Sequence, residues 1–142
     1  MNYEKDFMNI PRPCPFCNPK KEDVIAENDT AYLTYSLAPY HKDHMLVIPK
    51  RHIEEILDLT EKEVSDIYPL IKRTLTSLKK EGYEDISILI RDGSNKMKSV
   101  AHMHYNIIPI TRLGDIDHEG NKREILTQTE ISETISRMNS VV

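Results

Sequence analysis

His102-Met103-His104-Tyr105-Asn106-Ile107-Ile108-Pro109 alternates polar and apolar residues and closes on a proline, the pattern of a half-buried strand. Residues two apart on a strand share a face. His102, His104 and Asn106 therefore stand together, while Met103, Tyr105 and Ile107 face the other way and can pack against a helix. Solvent-facing strand positions are more often Thr, Lys or Glu, so a His-His-Asn face is unusual. Two imidazoles at this spacing suit metal binding, general acid–base work or nucleophilic attack. The plainer alternative is a surface strand with incidental histidines.

Upstream of this strand, Ile86-Ser87-Ile88-Leu89-Ile90 reads as a strongly apolar strand and Asp92-Gly93-Ser94-Asn95 as a turn. Thr60 followed by Glu63 is a capping box that opens one long helix. Val64, Ile67, Ile71, Leu75 and Leu78 form its buried stripe, Pro69 predicts a kink or local break, and Gly82 is a natural stop. Ala31-Tyr32-Leu33-Thr34-Tyr35 and His44-Met45-Leu46-Val47-Ile48-Pro49 read as strands, with Val24-Ile25-Ala26 as a short one before them. Pro11, Pro13, Pro15 and Pro19 make residues 1–23 an irregular lead-in, and Thr129 is expected to cap a short final helix carrying Ile131, Ile135 and Met138. Neighbouring strands, one long helix, then strands again predict an α+β domain with an antiparallel sheet and shorter helices, in place of βαβ units.

The 142 residues fit a single domain, 1–142, able to bury most of the surface of its unfolded chain. A net charge of -4 leaves no basic footprint, which argues against nucleic acid as a partner. A phosphate ligand can still be held by backbone donors and one or two cations. Met1 to Phe7 is too charged for a secretory signal, and no apolar run reaches the roughly 20 residues that span a bilayer. No membrane partner and a cytoplasmic location are therefore expected. In that compartment Cys14-Pro15-Phe16-Cys17 points to metal binding or redox chemistry before a structural disulfide. The spacing lets both sulfurs face one ion, whereas a thioredoxin-like dithiol would need a βαβ context that does not follow.

Together, four pieces in order resemble the histidine-triad (HIT) superfamily. The run from His102 to Ile108 resembles its His-φ-His-φ-His-φ-φ signature, and Asp92 to Val100 looks like its glycine-containing loop. His44 to His52 is similar to its strand ending in Val-Ile-Pro-Lys-x-His, and Cys14 to Cys17 to the Cys-x-x-Cys of zinc-containing members. The resemblance covers about residues 14–109 and leaves 112–142 as a C-terminal extension. It implies a HIT-like fold and a homodimer built on the long helix and the strand after it.

The resemblance also implies roles. As in zinc-bearing members and galactose-1-phosphate uridylyltransferases, His52 and His102 would join Cys14 and Cys17 around a structural Zn2+. His104 would attack the α-phosphorus of a nucleotide or dinucleotide substrate (a dinucleoside polyphosphate, nucleotide sugar or phosphoramidate) and form a covalent nucleotidyl-histidine. Ser99 and the loop N–H groups would hold the phosphate oxygens. Three positions depart from the pattern. Met97-Lys98 replaces the usual Gly-Gln, and Lys98 would bring a point charge to the phosphate. Asn106 replaces the third histidine; it donates and accepts hydrogen bonds but delivers no proton by titrating. Ser36 stands where many members carry a ribose-binding acid. A nucleotidyl hydrolase or transferase is the expected function. A nucleotide- or phosphate-binding module with little turnover, and a zinc-stabilised interaction domain, are the alternatives.

Overall fold

In a computed structural model, the structure describes residues 13–93, 98, 100–112 and 124–141. It is an α+β fold in which an antiparallel sheet of five strands runs in the order β1-β2-β3-β5-β4. The strands are β1 (Ala26–Glu27), β2 (Ala31–Tyr35), β3 (Met45–Pro49), β4 (Ile86–Leu89) and β5 (Tyr105–Pro109). The long helix α1 (Glu61–Lys80) separates β3 from β4. The chain divides into two compact units, Met1–Thr111 and Arg112–Val142, and the sheet and α1 belong to the first. Among the described residues no helix is long and apolar enough to cross a membrane.

The two-residue period of the strands decides what lies on each face. Ala31, Leu33, Val47 and Ile107 cluster with Ile67, Leu70, Ile71 and Leu78 of α1, with Tyr105 packed beside them. The alternate positions Tyr32, Leu46 and Ile48 form a second cluster with Phe16 and Val24. Leu46 pairs with Asn106 across β3 and β5, so Asn106 belongs to this second face, away from α1. That face carries the candidate site.

Helix α1 starts as expected. Glu63 N–H donates to the Thr60 hydroxyl at 3.1 Å, and Thr60 N–H donates back to the Glu63 carboxylate at 2.9 Å. Its buried stripe is rotated from the expected one: Leu70 and Thr74 are buried, and Val64 is exposed. Thr74 is accommodated because its hydroxyl donates to Leu70 O at 2.8 Å. The helix also runs unbroken through Pro69. Pro69 and Ser65 lie on the exposed side, where water can satisfy the carbonyl that the missing N–H would have met. Gly82, at φ 101°, ends the helix as a left-handed residue.

Other boundaries differ from expectation. The first short strand is Ala26–Glu27, not 24–26, and β5 begins at Tyr105, not His102. The ladder with β3 stops there because Pro49 has no N–H to donate, its carbonyl accepts from the His102 ring, and Met103 N–H donates to Ile53 O at 2.7 Å. In the second unit, α2 (Gln128–Val141) is capped by Thr127 rather than Thr129. Glu130 N–H donates to the Thr127 hydroxyl, and Thr127 N–H to the Glu130 carboxylate.

Candidate active site and metal centre

Cys14, Cys17, His52 and His102 are brought together from three separated stretches of chain, with their four ligand atoms within 4.8 Å of one another. Cys17 Sγ lies 3.1 Å from His52 Nδ1 and 3.5 Å from His102 Nδ1, and Cys14 Sγ lies 3.4 Å from His102 Nδ1. Tetrahedral zinc, with its usual bond lengths, would hold sulfur and nitrogen about 3.5 Å apart. The donor set and its spacing therefore fit such an ion. The tautomer fits as well. His102 is wholly buried and its Nε2–H donates to Pro49 O at 2.7 Å, which leaves the Nδ1 lone pair facing both sulfurs. Burial, and next the neighbouring His52 and His104, hold this imidazole below its ordinary pKa, against the pull of the Pro49 carbonyl.

Two neighbouring contacts brace this corner. The Tyr32 hydroxyl donates to Phe16 O at 2.6 Å and ties the Cys14–Cys17 turn to the sheet. Arg51, next to His52, grips the buried Glu63 carboxylate through Nε at 3.2 Å and Nη2 at 2.7 Å, and its Nη2 also reaches Asp58 O. Glu63 thus caps α1 and pins the segment that carries His52.

His104 lies two residues beyond His102 and is hydrogen-bonded in the opposite sense. Its Nδ1–H donates to His102 O at 2.9 Å, so the neutral ring keeps its lone pair on Nε2. Burial lowers its pKa, aided by the Lys98 charge and opposed by the His102 carbonyl. Phe16 meets its ring edge-on, with centroids 5.1 Å apart.

Asn106 is oriented by His44, a residue that motif reasoning left without a role. Tyr40 N–H donates to His44 Nδ1 at 3.2 Å, so the proton of the neutral ring sits on Nε2. That Nε2–H donates to Asn106 Oδ1 at 3.0 Å, and Asn106 Nδ2 donates in turn to Leu89 O at 3.2 Å. One amide proton of Asn106 remains for a ligand. Burial keeps the His44 pKa low, with the Asn106 bond opposing and His104 adding to the shift. No spacing rule could have joined His44 to Asn106, which are 62 residues apart.

His44, His104 and Asn106 share a cavity of about 410 Å³ with Phe16, Ser36 and Asp23 among its walls. Ser36 is held through its backbone, N–H to His44 O at 3.0 Å. Lys98 is buried, and its ammonium donates to Glu54 O and Ala101 O. It is not among the residues lining the cavity, and its charge acts on His104 from a distance. Ser99 and Met97 lie outside the described residues.

A match to the HIT domain spans residues 18–113. The chain belongs to the HIT domain family. An adenosine 5′-monophosphoramidase of Schizosaccharomyces pombe is 33% identical over 100 residues, covering 68% of this chain and 73% of that protein. A HIT family protein from Bacillus subtilis has the same fold: TM-score 0.71 at 22% identity, over 92% of this chain and 98% of that one. So does a zinc-bound histidine triad family protein from Mycobacterium smegmatis, with TM-score 0.59 at 21% identity over 91% and 97%. Within the HIT domain, the face of the sheet away from α1 holds two adjoining histidine corners, one with converging candidate metal ligands and one lining the cavity.

Proposed function

We propose that this HIT protein is a nucleotide hydrolase or nucleotidyltransferase acting at the α-phosphate, with His104 as nucleophile. The observation that carries the reading is the His104 ring itself. Burial favours its neutral form, Nδ1–H is anchored to His102 O so that the lone pair stays on Nε2, and the ring lines a cavity of about 410 Å³. The relationship to an adenosine 5′-monophosphoramidase favours a nucleoside phosphoramidate among the substrate classes; dinucleoside polyphosphates and nucleotide sugars share the same phosphorus centre.

In this reading the Nε2 lone pair attacks phosphorus and the bond to the leaving amine or phosphate breaks. The leaving group takes its proton from solvent, since Asn106 has none to give by titration. Water or a second phosphate then attacks the nucleotidyl-histidine, releases the nucleotide and restores neutral His104. Asn106 donates its remaining amide proton to a phosphate oxygen, as a transition-state donor. Ser99 and the Lys98 charge would favour the anionic group. Ser36 offers one hydroxyl to the nucleoside.

Cys14, Cys17, His52 and His102 would hold a structural Zn2+, closed to substrate because all four positions are taken by protein. When bound, the ion would lock the Cys14–Cys17 turn to the strand bearing His104. A homodimer through α1 and β4 belongs to the same reading. It is supported by the exposed Val64 and Tyr68 on α1 and Ile88 on β4.

The second reading, a nucleotide-binding module with little turnover, is favoured by one observation: Asn106 is frozen as an amide between His44 and Leu89. Incubation with a panel of phosphoramidates, dinucleoside polyphosphates and nucleotide sugars, followed by acid-free trapping of labelled protein, separates the two. A labelled adduct in the wild type is expected, with turnover reduced by about 10³-fold or more in His104→Ala. No adduct, and equal rates in the two proteins, would remove the enzyme reading and leave the binding one.

A further inference from the structure

Ser36 supplies a single hydroxyl, and the same cavity contains a stronger group that no motif marks. Among its described lining residues, Asp23 is the one carboxylate. It closes the 3-10 turn Lys21–Asp23, and its backbone carbonyl accepts from the Thr34 hydroxyl at 2.6 Å, fastening the turn to β2. The Tyr35 hydroxyl donates to one carboxylate oxygen at 3.1 Å. Among the described residues the other oxygen has no protein donor. The Asp23 carboxylate raises the Tyr35 pKa, so the phenol remains a donor and the clamp persists at neutral pH.

A carboxylate in a cavity for a phosphate ester repels the phosphate, so it must meet the part of the ligand rich in donors. Asp23 sits beside β2, whereas His104 and Asn106 sit at β5, two strand spacings or about 10 Å away. A 5′-phosphorylated sugar bridges that span once a hydrogen bond is added at each end. Adjacent hydroxyls on the sugar can both donate to a carboxylate, and a fixed carboxylate gains more from them than a mobile one.

We propose that Asp23, clamped by Tyr35, is the specificity-determining residue that binds the vicinal hydroxyl pair of a ribonucleotide. The proposal rests on the nucleotide reading above. Asp23 acts by ground-state recognition and takes no part in bond breaking.

Calorimetric titration with adenosine 5′-monophosphate and its 2′-deoxy analogue tests it, in the wild type, Asp23→Asn and Tyr35→Phe. The wild type is expected to prefer the ribonucleotide by about 10- to 100-fold, the worth of a charge-assisted hydrogen bond. In Asp23→Asn the two ligands should bind within about threefold of each other, and Tyr35→Phe should lose part of the preference. Among the described residues the Asp23 side chain makes one protein hydrogen bond, so a folded variant is expected, verified by its unfolding temperature. If that variant is unfolded, the Tyr35→Phe result decides. A preference that survives in folded Asp23→Asn, or is missing from the wild type, overturns the assignment of Asp23 alone. A wild type that binds neither ligand overturns the nucleotide reading, and the proposal with it.

Discussion

The metal corner and the cavity corner are built from the same residue type, two positions apart, and differ in which ring nitrogen the backbone holds. His102 gives Nε2–H to Pro49 O and turns Nδ1 to the sulfurs. His104 gives Nδ1–H to His102 O and keeps its lone pair on Nε2, in a ring that lines the cavity. His44 accepts at Nδ1 from Tyr40 and donates from Nε2 to Asn106. The three rings become candidate metal ligand, candidate nucleophile and donor through their second nitrogen. The lesson is that a histidine motif states which side chains meet, and the carbonyls and N–H groups around them state what each can do.

Three measurements break or sharpen that contrast. The largest effect is expected on the metal corner. Chelation, or Cys17→Ser, should lower the unfolding free energy by several kcal/mol, on the order of a sizeable part of a structural zinc site's binding energy. Calorimetric unfolding with and without chelator reads it. Equal transitions would mean that the four ligand atoms meet without holding an ion, and the contrast between corners would collapse.

A smaller loss is expected from Glu63→Gln. Arg51 and the Thr60 N–H all donate to the Glu63 carboxylate, and removing its charge should cost about 1–3 kcal/mol. The Arg51 bond, ahead of the Thr60 bonds and against burial, holds this carboxyl below its usual range. Its contribution is therefore complete above the ordinary carboxylate pKa and disappears as pH falls through the lowered one. Acid unfolding of wild type and variant should converge there. Metal affinity should fall along with stability, because Glu63 pins the segment bearing His52; unchanged affinity would separate the helix cap from the metal corner.

The smallest effect is expected on the cavity corner. Burial lowers the His44 pKa, so the unfolded chain takes up a proton before the folded one does. The stability contribution is present above the ordinary histidine value near about 6.5 and declines as pH drops below it, by at most about 1.4 kcal/mol per pH unit. Chemical denaturation at pH 7.5, 6.5 and 5.5, values chosen to bracket about that pKa, should show a shallower decline in His44→Gln. An unaltered slope would mean that His44 is not the neutral donor that orients Asn106.

Much of the fold could be read from periodicity. The alternation of Ala31–Tyr35, the apolar run of Met45–Pro49 closed by its proline, and the Thr60–Glu63 box needed only local chemistry. Thr127 was also legible, since Glu130 follows it by three residues and completes a capping box. Other features were decided across the sheet. Which stripe of α1 is buried depends on the surface it meets, so Leu70 and Thr74 went in and Val64 stayed out. Lys98 looked like a loop cation from its neighbours in sequence, yet carbonyls 44 and 3 residues away take its protons.

By itself, the sequence determined the strand and helix periods, the family motifs and the residue types available for chemistry, because these depend on neighbours within a few positions. Tertiary structure alone decided the tautomers of His44, His102 and His104, the fixing of Asn106 by His44 and the place of Asp23 in the cavity. Each depends on a hydrogen-bond partner delivered by another strand or turn, and local sequence does not specify which atoms folding will bring within 3 Å or so of one another.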